Sequence, residues 1–123
     1  MHRTSPLSLR LSLAVTCALA AVIGYGTLFP GAASPVAGGN DKLQHFLAFA
    51  GLSMPISLAR PRWAIWTVVL ALVYGGVIEV IQPFVGRDRS LLDLLADVMG
   101  ASCGAGLAIA LNLLLTRTRA LNR

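Results

Sequence analysis

Residues 79–100 read EVIQPFVGRDRSLLDLLADVMG and hold four of the five acidic residues of the chain. The fifth acid, Asp41, belongs to a shorter polar stretch, residues 41–45, which reads DKLQH. Most of the remaining chain is apolar and small, or basic and close to a segment end. A carboxylate costs a few kcal/mol at the depth of a membrane helix, so acids in such a chain indicate a built polar site. We therefore expect the two polar stretches to meet in space.

The composition is that of an integral membrane protein. Apolar residues make up 56% of the 123 residues, charged residues only 12%, and the mean hydropathy is +0.75. A soluble domain usually carries about 25% charged residues, and several apolar runs here approach the roughly 20 residues that cross a bilayer. The net charge of +5 comes from basic residues at segment ends. The positive-inside rule explains basic residues at such places. No soluble element is visible that could carry a basic face for nucleic acid, so nucleic acid is not expected as a partner.

The hydrophobic pattern predicts an all-α membrane bundle of four transmembrane helices, at about residues 11–29, 41–59, 63–85 and 91–116. Residues 1–10 would form a cytoplasmic N-terminal tail, residues 11–116 a single membrane domain and residues 117–123 a basic cytoplasmic tail. The first run also resembles a signal peptide over residues 1–21. Its apolar character continues to Phe29, which favours an uncleaved helix.

Local signals support these boundaries. Gly, Pro and Ser predict a loop over residues 30–40. Asp41 and Gln44 have the spacing of a capping box, and Ser90 with Asp93 predicts the start of the last helix. Pro55 predicts a kink in the second helix.

The distribution of Lys and Arg assigns the two sides of the membrane. One side carries Lys42, Arg87 and Arg89. The other side, which includes both termini, carries Arg3, Arg10, Arg60, Arg62, Arg117, Arg119 and Arg123. Both termini are therefore expected in the cytoplasm, and all five acids at the outer side.

Three helices place an ionisable side chain at a similar depth. With a rise of about 1.5 Å per residue, His45, Glu79 and Asp97 each lie roughly 7–10 Å below the outer surface. Small residues share their helix faces: Gly75 lies one turn from Glu79, and Gly100 and Gly104 follow Asp97. Small residues allow close helix packing in lipid, so we expect the carboxylates to point inward. The Gly100/Gly104 face would pack within the bundle or between copies in an oligomer.

The polar stretches resemble the VanZ-like family of small bacterial membrane proteins. The resemblance rests on residues 41–46 (DKLQHF), 78–84 (IEVIQPF) and 86–93 (GRDRSLLD) and on Gly100, in that order, and it covers about residues 40–105. Asp97 departs from the family pattern, which more often has Asn there. The resemblance implies a multi-pass protein of the bacterial cytoplasmic (inner) membrane with an outward-facing polar site. The namesake is associated with resistance to the glycopeptide antibiotic teicoplanin, which implies a role in the cell envelope.

The first interpretation of the polar group is a binding site, because Arg suits bidentate recognition of phosphates and carboxylates. We expect Arg87 and Arg89 to pair with Asp93, with Glu79 or with a ligand phosphate. The ligand would be a lipid head group, a wall precursor or a glycopeptide at the outer leaflet. The candidate cluster comprises Asp41, Lys42, His45, Glu79, Gln82, Arg87, Arg89, Asp93 and Asp97.

The alternative is a small membrane-embedded enzyme that acts on a lipid-linked substrate. His45 with Glu79, Asp93 and Asp97 could supply acid–base groups or a divalent-metal site. The candidate catalytic residues are His45, Glu79 and Asp97. No compact ligand motif such as H-E-x-x-H is present and no Ser or Cys lies beside His45, so we assign no catalytic residue, metal or cofactor. An ion path would use the same groups, but the cytoplasmic halves of the helices lack polar partners. A purely structural interpretation is also open: the charges would then only pair with one another and fix the helix register.

Overall fold

The computed structural model describes residues 6–29 and 41–121. In this part of the chain the structure is all-helical, which confirms the all-α part of the predicted fold class. Short 3-10 turns at Pro61–Trp63 and Gln82–Val85 flank the third helix. The α-helices of the described residues are α1 (Pro6–Leu28), α2 (Asp41–Ala59), α3 (Ala64–Ile81) and α4 (Leu91–Leu121).

Helix ends differ from the predicted boundaries at three places. The first helix begins at Pro6, where the ring of proline suits the first helical turn, so residues 6–10 of the predicted tail are helical. The last helix continues to Leu121 through residues expected in the basic tail. The third helix ends at Ile81 because Pro83 follows, and the chain tightens into a 3-10 turn. The predicted loop at 30–40 lies outside the described residues, as do Arg3 and Arg123.

Three helical segments are long and apolar enough to cross a membrane: Ser8–Leu28, Pro61–Val85 and Leu91–Thr118. The shorter α2 is not one of them, because Asp41, Lys42 and His45 occupy its first turns and lower its hydropathy.

The outside of the bundle carries large apolar side chains, as lipid surroundings require. Val22, Ile65 and Leu70 are each about two-thirds exposed, and many other large apolar side chains share this outer surface. The interior instead contains small residues and polar groups, such as Ala101 and Ser53. A soluble monomer rarely exposes apolar patches on this scale, so the arrangement fits a membrane protein.

The second helix packs against each of the other three, most extensively against α4. A Cβ atom on Gly100 would overlap the backbone of Phe46, and one on Gly104 would overlap the backbone of Ala50. The Gly100/Gly104 face therefore packs against α2 of the same chain, which is the first of the two uses predicted for it. This close contact of α2 and α4 positions the polar site.

Candidate functional site

The centre of the site is a contact between His45 of α2 and Asp97 of α4. The imidazole Nδ1 lies 2.8 Å from the Asp97 Oδ1 atom, and both side chains are buried. The second oxygen, Asp97 Oδ2, is also buried and has no hydrogen-bond partner among the described residues. It lies against α3, where a Cβ on Gly75 would come within 2.8 Å of it. Gly75 therefore makes room for the carboxylate.

The other imidazole nitrogen faces two further carboxylates. His45 Nε2 lies 3.9 Å from Asp93 Oδ2 and 4.0 Å from Asp41 Oδ1. Both distances exceed those of a hydrogen bond. On the far side of Asp93, Lys42 Nζ lies 3.3 Å from Oδ1. We call these residues, Asp41, Lys42, His45, Asp93 and Asp97, the α2–α4 cluster.

Exposure changes across the α2–α4 cluster. The side chains of Asp41 and Lys42 are 58% and 49% exposed, whereas that of Asp97 is 1% exposed. The cluster therefore has an accessible rim and a buried base. A buried charge is costly unless it is paired and hydrogen-bonded, so the imidazole of His45 is required at the base. The rim is where a ligand from outside could reach the cluster.

Glu79 stands beside the α2–α4 cluster. Its carboxylate accepts the backbone N–H of Ser90 at 2.7 Å, immediately before the first residue of α4. Ser90 in turn accepts the N–H of Asp93 with its hydroxyl at 3.2 Å, as the predicted cap requires. A carboxylate is favoured at this end of a helix by the helix dipole. Ser90 thus connects Glu79 to the cluster, and no direct contact joins Glu79 to His45 or Asp97 among the described residues.

Gln82 is buried next to Glu79, one turn further along the chain. With its amide nitrogen turned towards the carboxylate, Gln82 donates to Glu79 Oε1 at 3.2 Å. This orientation satisfies both ends of the amide. The polar groups at the end of α3 therefore hold the start of α4.

The two arginines of the α3–α4 turn do not pair as the sequence predicted. Arg87 donates to the carbonyl of Gly26 on α1 at 3.2 Å, which fastens the turn to the first helix. Arg89 is exposed and makes no ion pair with any described residue. Among the described residues neither arginine pairs with Asp93 or Glu79, because Lys42 contacts Asp93 and the backbone N–H of Ser90 bonds to Glu79. The third predicted partner, a ligand phosphate, stays a prediction.

The structure adds contributions that sequence reasoning missed. Ser53 of α2 donates to the carbonyl of Ala101 on α4 at 2.8 Å, deep in the same interface. A lone Ser among apolar residues was the only signal for this bond. Ser90 was recognised as a cap, but its bond to Glu79 depends on how α3 meets α4, and the spacing along one helix does not reveal that.

Comparison of the chain with protein-family models, with curated proteins and with solved structures gives no significant match. The three long apolar helices indicate a small helical membrane protein, and its interior holds a charged cluster. The resemblance to the VanZ-like family rests on residues 41–46, 78–84 and 86–93 and on Gly100, and it stays a prediction.

Proposed function

We propose that the chain is a four-span protein of the bacterial cytoplasmic membrane that binds an anionic head group at its outer face. The fourth span would be α2, which has 19 residues, close to the roughly 20 that cross a bilayer. Its first turn, with Asp41 and Lys42, is exposed and would lie at the outer membrane surface, where charged groups can reach water. Four spans bring both termini to one side, and the excess of arginine there supports a cytoplasmic location.

One observation carries the binding function. The buried acids of the site have partners inside the protein, whereas Arg89 is exposed and unpaired among the described residues. Arg87 donates one hydrogen bond to the carbonyl of Gly26. A guanidinium group has five N–H donors, so others remain for a ligand. Lys42 adds a half-exposed ammonium group at the rim. Three cationic side chains are thus at least partly accessible near the start of α4.

The chemistry of these cations selects the class of ligand. A guanidinium fork matches the paired oxygens of a phosphate or carboxylate group. The ligand would therefore be a phospholipid head group, a lipid-linked wall precursor, or a glycopeptide such as teicoplanin. The resemblance to the VanZ-like family supports the last two and a role in the cell envelope.

Binding can be tested with purified protein in nanodiscs. The probes would be phosphatidylglycerol, a polyprenyl-pyrophosphate-linked wall precursor and teicoplanin. A hydrogen bond to a charged group contributes about 1.5–3 kcal/mol, so Arg89→Ala should weaken binding of the true ligand by about 10-fold or more. The matched control is Arg62→Ala, an exposed arginine in the α2–α3 connection. Equal affinities for both variants and the parent would refute the proposal.

The sidedness has a separate test. Cys17 and Cys103 are both free and exposed, so they are first replaced by alanine. A cysteine is then introduced by Asp88→Cys or by Arg62→Cys and treated with a membrane-impermeant maleimide. We expect intact cells to label the first variant only. Labelling of Asp88→Cys only after lysis would reverse the proposed topology.

A second candidate function is favoured by the bond between His45 and Asp97. A carboxylate that orients an imidazole is the arrangement used in general acid–base catalysis, and the other nitrogen of His45 faces the rim. The protein would then be a small membrane enzyme acting on a lipid-linked substrate. Phosphate release from a lipid-linked pyrophosphate in proteoliposomes tests this function. Release no faster than that of His45→Gln would exclude it.

A further inference from the structure

The rim of the α2–α4 cluster has the composition and spacing of a metal site. We propose that it binds one divalent transition-metal ion, such as Zn²⁺ or Mn²⁺, through Asp41, His45 Nε2 and Asp93. Imidazole and carboxylate groups together suit these ions better than they suit Mg²⁺ or Ca²⁺, which prefer oxygen ligands alone.

The distances fit an ion between the three side chains. One ligand atom from each residue lies within 4.8 Å of the others. The imidazole nitrogen is 3.9 Å from Asp93 Oδ2 and 4.0 Å from Asp41 Oδ1. These separations are too long for direct hydrogen bonds. Metal–ligand bonds of about 2.0–2.2 Å place the ligand atoms of a tetrahedral site roughly 3.3–3.6 Å apart, so side-chain movements of up to about 1 Å each complete the geometry.

A second, independent observation comes from the opposite edge of the imidazole. Metal-binding histidines usually donate their other ring N–H to a carboxylate, which fixes the tautomer and the ring orientation. Asp97 accepts such a bond from Nδ1 at 2.8 Å and is almost fully buried. With the proton on Nδ1, the lone pair of Nε2 faces the oxygens of Asp41 and Asp93. Three acceptors then converge on one point, and a cation there would relieve their mutual repulsion.

Lys42 is the competitor within the protein. Its ammonium group contacts Asp93 Oδ1, whereas the oxygen that faces the imidazole is Oδ2. The side chain of Lys42 is half-exposed and long enough to swing away from a bound ion. A protonated His45 would be the other way to satisfy the carboxylates. The measurements below separate these cases, because only a metal site takes up an ion.

Metal binding does not depend on the proposed head-group site. Head-group binding rests on Arg89 and is measured with organic ligands, whereas the ion is measured alone. Three protein ligands leave at least one coordination position open towards the rim, where water or an anionic ligand oxygen would bind.

The test uses the full chain, purified in detergent and stripped with a chelator. Zn²⁺ and Mn²⁺ are titrated by calorimetry, and retained metal is counted by mass spectrometry after desalting. We expect one ion per chain. Asp41→Asn should weaken binding at least 10-fold, and since this side chain is exposed the variant should fold. Asp97→Asn should weaken binding by about 10–100-fold through loss of the orienting bond. Asp88→Asn, an exposed acid in the nearby turn, is the matched control and should bind as the parent does.

Two results would overturn the metal site. The first is no uptake by the parent above a detergent blank, which would leave protonated His45 and Lys42 to balance the carboxylates among the described residues. The second is equal weakening by Asp41→Asn and Asp88→Asn, which would indicate diffuse attraction by surface acids. Each result would leave the binding of organic ligands through Arg89 unaffected.

Discussion

Replacement of Gly100 by alanine tests the contact on which the site depends. A Cβ atom at this position would overlap the carbonyl of Phe46 and would lie 2.8 and 2.9 Å from its C and Cα atoms. All of these are backbone atoms, so no side chain can rotate to relieve the overlap. The two helices must move apart, and the bond between His45 and Asp97 must lengthen with them.

The expected loss of stability follows from two opposing effects. Alanine has a higher helix propensity than glycine by about 1 kcal/mol. Overpacking of a tight interface costs about 1–3 kcal/mol, and weakening a hydrogen bond to a charged group adds up to about 1.5–3 kcal/mol. We therefore expect Gly100→Ala to lower the free energy of unfolding by about 1–3 kcal/mol. Gly106 lies on the same helix with nothing near its Cβ position, so Gly106→Ala should be neutral or slightly stabilising.

Unfolding in mixed micelles, followed by helical circular dichroism against increasing sodium dodecyl sulfate, measures both variants. Both variants gain the same helix propensity, so the difference between their unfolding free energies measures the packing effect alone. Gly100→Ala should lose about 1–3 kcal/mol and Gly106→Ala should gain up to about 1 kcal/mol, which gives a difference of about 2–4 kcal/mol. Equal stabilities would show that α2 and α4 do not touch along their backbones. The placement of His45 against Asp97 would then lose its support.

Other bonds in the bundle allow smaller tests by the same unfolding measurement. Tyr74→Phe removes the hydroxyl that donates to the carbonyl of Ala20 on α1, and a loss of about 1 kcal/mol is expected; no loss would mean that this bond is not formed. Ser90→Ala removes the cap on the N–H of Asp93 and should cost about 1 kcal/mol, whereas Ser90→Asp should retain most of the stability. Glu79→Gln keeps an oxygen for the backbone N–H of Ser90 and should cost less than Glu79→Ala, which leaves that buried donor unsatisfied at about 1–3 kcal/mol; a reversed order would refute the role of Glu79 as a cap.

Spacing along a single helix was sufficient to predict which faces are buried. Ala71, Gly75 and Glu79 on α3 and Gln82 just beyond its end follow one another at helical spacing, and all are buried. In lipid the large apolar side chains can face outward at no cost, so small and polar residues mark the packed face. The prediction that the carboxylates point inward is confirmed for Glu79, Asp93 and Asp97.

The pairing between helices could not be predicted in the same way. Arg87 reaches Gly26 on α1, and Asp93 reaches Lys42 on α2. These choices depend on the rotation and register of one helix against another, which no single segment encodes. Helix ends were also misjudged, because charges mark where a segment leaves the membrane, whereas the helical backbone continues beyond that point. For this reason α4 extends to Leu121.

The His45–Asp97 pair is a poor way to stabilise a helix interface. Replacing a buried ion pair with apolar side chains of similar size is often neutral or stabilising, and the surrounding interface already holds through Gly100 and Gly104. Asp97 also keeps one buried oxygen without a hydrogen bond among the described residues, which adds a further cost. Stability alone therefore gives no reason for an acid at this position. What the pair does supply is a fixed imidazole whose second nitrogen faces the accessible rim, as the proposed metal site requires.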